Sequence, residues 1–197
     1  MSGAMIVVFA LLAFVAVTIF KGVRIVPQGY KWIVQRLGKY HTTLSPGLNF
    51  VIPYVDEVAY KVTTKDIVLD IPSQEVISRD NAVLLMNAVA YINLTTPEKA
   101  VYGIENYVWA IQNLVQTSLR SITGEMSLDD ALSSRDHIKA KLKAAISDDI
   151  SDWGITLKTV EIQDIKPSHT MQTAMEEQAA AERQRRAAVT KKKKKKQ

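Results

Sequence analysis

Apolar and polar positions change rhythm several times along this chain. Residues 4–20 are apolar except for Thr18 and carry no charge. A helix needs about 17 to 25 such residues to cross a bilayer, so this run predicts a membrane span. Gly22, Val23, Ile25 and Val26 prolong the apolar stretch, with Lys21 and Arg24 placed to reach headgroups. The expected anchor covers residues 1–25, with Ala4, Phe9, Leu12, Phe14 and Phe20 among its anchoring side chains. A buried core helix would show a polar face, and a cleaved leader would open on basic residues; this run does neither.

A turn signal at Val26-Pro27-Gln28-Gly29 follows. Short runs rich in aromatic and β-branched residues then predict strands over 31–36, 48–52, 55–62, 67–71 and 82–94. Turn residues between them predict a small, mainly antiparallel sheet. The rhythm next becomes helical. Thr96-Pro97-Glu98 opens a short helix ending at Gly103, and Asn106 can cap a second. That second helix carries Val108, Ile111, Leu114, Val115, Leu119 and Ile122, and Gly124 suits a left-handed C-terminal position. Residues 127–132 predict another helical turn. Ser134 precedes a helix striped by Ile138, Leu142, Ile146 and Ile150, which Gly154 ends. Thr156–Lys166 returns to strand. Strands, then helices, then a strand predict an α+β domain. Gly47 and Gly154 read as positions fixed by backbone geometry.

The last rhythm is nearly all polar. Residues 168–190 are rich in Ala, Glu, Gln and Arg, which are strong helix formers. Their apolar side is only Met171, Met175, Ala179 and Val189. A helix this polar either bridges solvent or packs on a copy of itself. Met171, Met175 and Ala179, with Glu182 reaching Arg185 or Arg186 of a neighbour, are the expected assembly residues.

Charge sharpens this picture. The net charge is +5, yet Lys191–Lys196 supply six positive charges, and 19 basic residues face 20 acidic ones without them. Residues 21–65 hold seven basic residues against Asp56 and Glu57. Residues 66–190 are acidic, which argues against nucleic acid as partner of the whole domain. Basic residues follow the apolar run and none precede it, so the positive-inside rule places the N-terminus outside and the body in the cytoplasm. Lys21, Arg24, Lys31, Arg36 and Lys39 then form a juxtamembrane basic set facing anionic lipid.

Catalytic chemistry is hard to find. Cysteine is absent, which excludes disulfides and thiolate sites. His41, His137 and His169 are far apart, and no zincin, nucleophile-elbow, Walker or dinucleotide motif occurs. No enzyme, cofactor or metal site is expected. Two alternatives from other classes stay open: a membrane-bound hydrolase, and a module binding anionic lipid or nucleic acid through the lysine tail.

The order of short motifs carries more. They run Val26-Pro27-Gln28-Gly29, Arg36-Leu37-Gly38-Lys39, Pro46-Gly47-Leu48-Asn49, Ile52-Pro53 and Asp70-Ile71-Pro72-Ser73-Gln74-Glu75-Val76. They continue through Asp80-Asn81, Leu119-Arg120, Ser134-Arg135-Asp136, Asp152-Trp153-Gly154-Ile155 and Val160-Glu161-Ile162-Gln163-Asp164-Ile165 to Ala181-Glu182-Arg183. This series resembles the SPFH, or band 7, family of stomatins, prohibitins, flotillins, HflK and HflC, and among them the bacterial stomatin-like proteins of the QmcA type. The resemblance implies a first SPFH subdomain over 26–95, mainly β, and a second over 96–167. It implies the start of a long coiled-coil helix over 168–190, and a homo-oligomeric ring or cage in the bacterial inner membrane. It also implies a scaffold that organises a membrane microdomain and modulates protein quality control. The implied partners are membrane lipids, an FtsH-type protease and an NfeD-type membrane protein. In the family the helix continues into a long Ala/Glu/Gly-rich stretch. Here lysines occupy 191–196, and the sequence leaves open whether they are natural, engineered or a stand-in for other residues.

Overall fold

Helix α1 (Gly3–Gly22) is the first element of the computed structural model, which describes residues 3–194, with side chains described for 5–185. The side chains of Ala4 and Arg186 and the lysine run lie outside that description. The chain divides into two compact units. The first comprises residues 1–67, 92–107 and 149–156, and the second 68–91, 108–148 and 157–197. The division is not the sequential one expected at residue 95. Each unit is built from segments distant in sequence, because Val83–Leu94 and Ile155–Pro167 are single long strands that contribute to both.

In the first unit α1 stops at Gly22, and Val23–Val26 forms strand β1 rather than the end of the anchor. Valine and isoleucine favour a pleated backbone over a helix. The Gly22 carbonyl also accepts the Val51 N–H at 2.8 Å, which draws the chain into strand pairing. The remaining strands are β2 (Tyr30–Arg36), β3 (Lys39–Leu44), β4 (Gly47–Phe50) and β5 (Asp56–Thr63). β1 pairs antiparallel with β4 as a two-stranded ribbon, and β3-β2-β5 forms an antiparallel three-stranded sheet. β3 has no apolar alternation (Lys-Tyr-His-Thr-Thr-Leu), so only pairing with β2 makes it a strand. Val26, Val34, Leu44 and Val51 form this unit's core, with Trp32 and Val58 packed on it. A register shift between Ile33 and Val34 accompanies the complete burial of both neighbours. Helix α2 (Pro97–Gly103) starts on proline, whose missing N–H costs nothing at that position.

The second unit holds most of β6 (Ile67–Ile77), β7 (Val83–Leu94) and β8 (Ile155–Pro167), ordered β6-β7-β8 in one sheet. β6 continues through Pro72 well past residue 71, which proline permits on an edge strand. Helices α3 (Tyr107–Gly124), α4 (Leu128–Ser133) and α5 (Arg135–Asp152) follow. Ile111, Val115, Leu119 and Ile122 are buried along α3, and Ile138, Leu142, Ile146 and Ile150 have no exposure along α5. The α5 stripe is therefore core throughout, and the α3 stripe is core except for Val108 and Leu114, which are half-buried. Gly124 stays within α3 and is not left-handed. Its helix ends instead through tight bonds from Glu125 N–H to Ile122 O and Met126 N–H to Thr123 O. Gly47 and Gly154 do have positive φ, +114° and +71°. Helix α6 (His169–Lys194) begins after Ser168, whose Oγ accepts the Met171 N–H at 3.4 Å.

Candidate functional site

An uncharged helix buries its side chains in protein or in lipid. Of Met5–Gly22 only 6% is buried within the chain, and Phe9, Leu12, Phe14 and Phe20 are all exposed. This is one helix long and apolar enough to cross a membrane.

The exposed apolar surface does not end with the helix. In the β1–β4 ribbon Val23 lies opposite Phe50 and Ile25 opposite Leu48. Period-two alternation places these four side chains on one face. That face is open: Ile25 is 70% exposed, Leu48 77% and Phe50 63%. Ile52 and Tyr54, just beyond β4, are exposed as well. Sequence reasoning missed this ribbon because Val23 and Ile25 were counted with the anchor. The signal was present in the alternation Leu48-Asn49-Phe50, whose polar member turns inward. Asn49 Nδ2 donates to the Ser45 and Gly47 carbonyls at 2.7 and 3.1 Å, closing the loop before β4.

The five expected juxtamembrane cations do not form one face. Lys21 lies over the Tyr54 ring at 5.6 Å, and Arg24 sits on the ribbon's other face. Lys31 is half-buried near the start of β2, whereas Arg36 ends that strand opposite Lys39, roughly 16 Å away at 3.3 Å per residue. Arg36 is already paired. Its Nε and Nη2 donate to the two carboxylate oxygens of Asp56 at 2.7 and 3.0 Å. The Asp56 side chain is 3% exposed and also accepts the Ile52 N–H. The Arg36 bonds, then the Ile52 N–H, hold its carboxyl down at about 2 against the desolvation that opposes them. Arg36 is thus a structural tie of β2 to β5. Two further basic residues of the 21–65 stretch stand over rings: Lys61 over Trp32 at 4.5 Å, and Lys65 over Tyr30 at 5.7 Å.

In the second unit, Met171, Met175 and Ala179 lie half-buried along one side of α6, while Glu182 and Arg185 are exposed. Met175 and Ala179 line a groove of about 620 Å3 together with Lys166, Pro167, Gln172 and Arg183. Polar ties fix the body beneath. The Asp80 carboxylate accepts the Ser78 hydroxyl and the Leu128 N–H, which hold its pKa below the ordinary range. Lys139 pairs with Glu161 across α5 and β8, and that bond is the first cause of the lowered Glu161 pKa. Among the described residues no three His, Asp or Glu side chains gather as a metal site.

Similar sequences occur among known proteins. An uncharacterized protein of Methanocaldococcus jannaschii is 40% identical over 160 residues, covering 81% of this chain and 80% of its own. An uncharacterized protein of Mycobacterium tuberculosis is 35% identical over 175 residues, 89% of this chain and 45% of its own. Human mitochondrial stomatin-like protein 2 is 37% identical over 153 residues, 78% of this chain and 43% of its own. The chain thus spans under half the length of the last two. The model of the SPFH domain / Band 7 family matches residues 24–196, from β1 through α6, and the chain belongs to that family.

Proposed function

We propose that this chain is a membrane-anchored scaffold subunit that assembles side by side with copies of itself. The observation that carries the reading is the continuity of exposed apolar surface from α1 into the β1–β4 ribbon. In water, apolar surface costs about 25 cal/mol per Å2, so a helix bare on all sides followed by an apolar strand face fits a lipid environment. Family membership supports the same reading. With basic residues only on the C-terminal side of α1, the N-terminus faces outward and the body the cytoplasm, at a bacterial inner membrane.

Assembly is the second part of the proposal. α6 is a long, polar helix with a narrow half-buried side, and neighbours in one plane gain effective concentration from their anchors. Heterologous contacts between identical subunits close into rings where the rotation permits. Such a ring would organise a patch of membrane and control access of an FtsH-type protease, with an NfeD-type protein as a further partner. The test is alkaline extraction of membranes from cells making the full chain, followed by electron microscopy of the detergent-released particle. Resistance to extraction and a ring or cage are expected. Release at alkaline pH refutes the anchor, and a small particle refutes the scaffold.

A further inference from the structure

A two-residue hairpin turn of the type I′ kind needs positive φ at both central positions, and Asn-Gly is the favoured pair. Between β2 and β3 those positions hold Leu37 and Gly38, with φ +48° and +81°. A bulky side chain is an outlier in the left-handed region. Leu37 gains nothing by packing in return, since it is 83% exposed. Tyr54 repeats the pattern, with φ +72° and 70% exposure. Among the described residues the other non-glycine with positive φ is Asn81, a type that tolerates this backbone.

The turns that carry Leu37 and Tyr54 are tied to each other and to α1. The Leu37 N–H donates to the Val55 carbonyl at 3.4 Å. Arg36, just before the tip, holds Asp56, just after Val55, and Asp56 also accepts the Ile52 N–H at 2.9 Å. One residue back, the Val51 N–H donates to the carbonyl of Gly22, the last residue of α1. Lys21 of α1 stands over the Tyr54 ring. Both strained, exposed residues therefore lie at the end of the β3-β2-β5 sheet that adjoins α1. The other end of that sheet is the Tyr30–Thr63 pair, with Lys65 just beyond it.

We propose that Leu37 and Tyr54 form a second lipid contact of the first unit, with Leu37 entering the acyl boundary at the bilayer surface and Tyr54 lying at headgroup level beside Lys21. The inference rests on the membrane reading above and extends it beyond the β1–β4 ribbon. Backbone strain persists where the surrounding structure over-determines it and the side chain has a use. An apolar side chain gains by leaving water, and tyrosine favours the membrane–water interface. Gly38 turns the chain back into β3, and Arg36 and Lys39 flank the tip with charge, so penetration stops at one residue. A single helix leaves the unit free to swivel about the helix axis. A contact away from that axis fixes its orientation, so that every copy presents the same edges to its neighbours.

The absence of cysteine allows a single nitroxide spin label to be placed in the full chain, in vesicles of phosphatidylethanolamine and phosphatidylglycerol. Molecular oxygen concentrates in lipid, whereas a nickel chelate stays in water. A label at Leu37→Cys should collide more with oxygen than with the chelate, and one at Lys65→Cys should do the reverse. The oxygen-to-chelate ratio at residue 37 should exceed that at residue 65 about tenfold, the preference that burying one leucine supports. The same sign is expected at Tyr54→Cys, so that either variant decides if the other fails to fold. Ready collision of residues 37 and 54 with the chelate, while the chain still resists alkaline extraction, refutes this lipid contact alone. Exclusion of both probes places the tip against protein and refutes it as well. Extraction of the chain at alkaline pH refutes the membrane reading and this inference with it.

Discussion

Gly154 and Thr96 stand back to back so closely that only glycine fits. The Thr96 N–H donates to the Gly154 carbonyl at 2.9 Å, and the Thr96 carbonyl oxygen lies 2.5 Å from where a β-carbon on residue 154 would sit. Gly154 also has φ +71°, which ends α5 and turns the chain into β8. Two independent penalties therefore fall on any larger residue: left-handed strain and a backbone collision. Gly154→Ala should cost about 3–4 kcal/mol in denaturant unfolding. Gly47 offers the contrast, since its φ is +114° but nothing lies within 4 Å of its missing β-carbon. Gly47→Ala should cost only about 1–2 kcal/mol, from backbone strain alone. Equal costs at the two sites would refute the collision.

The Arg36–Asp56 fork predicts a pH dependence with a definite sign. Asp56 has its pKa lowered from 3.8 to about 2 in the folded chain, by the Arg36 hydrogen bonds first. A depressed folded pKa contributes stability that is complete above the unfolded value and is lost as pH falls through the folded one. Asp56→Asn should therefore lower the melting temperature at neutral pH. The gap between variant and unaltered chain should narrow as pH drops from near 4 toward 2. A gap independent of pH would mean that the ion pair contributes nothing and only packing was lost.

Periodicity made the helical body legible, and its silence hid β1 and β3 of the first unit. Ile138, Leu142, Ile146 and Ile150 announce a helix because each must enter the core at one azimuth, and all four do. β3 could not be read, because Lys39–Leu44 is held by its partner β2 and not by burial of its own side chains. Val23 and Ile25 were misplaced for another reason. Val23, Ile25 and Val26 continue the apolar composition of α1, so composition alone does not mark where helix gives way to strand. Net charge misled at Arg36 in the same manner, since composition counts a cation whether or not a buried Asp56 has claimed it.

The ribbon can be probed cleanly because the chain contains no cysteine. A single cysteine at Leu48 or Phe50 should react slowly with a membrane-impermeant maleimide in vesicles and rapidly once detergent is added. One at Lys39, exposed on β3, should react rapidly in both when the cytoplasmic side is accessible. Fast labelling at residue 50 in intact vesicles with that side exposed would place the apolar face in water and refute its contact with lipid.

The role of α6 is tested by removing it. Its exposed residues outnumber its half-buried ones, and the half-buried positions Met171, Met175 and Ala179 recur every four residues. One such stripe buries little area, so its docking within a single chain contributes weakly to folding. Contacts of the same kind repeated between many neighbours in a plane accumulate, and charged side chains such as Glu182 and Arg185 can set their register. Deleting residues 169–197 should leave α1 in the membrane and the body folded, because the cores of both units lie before residue 169. The large particle should be lost or should dissociate at lower protein concentration, as sedimentation of the detergent-released chain would show. Met175→Glu, a change on a half-buried site of an outer helix, should weaken assembly with little effect on the melting temperature. If the deleted chain sediments unchanged, assembly belongs to the body and α6 serves another purpose.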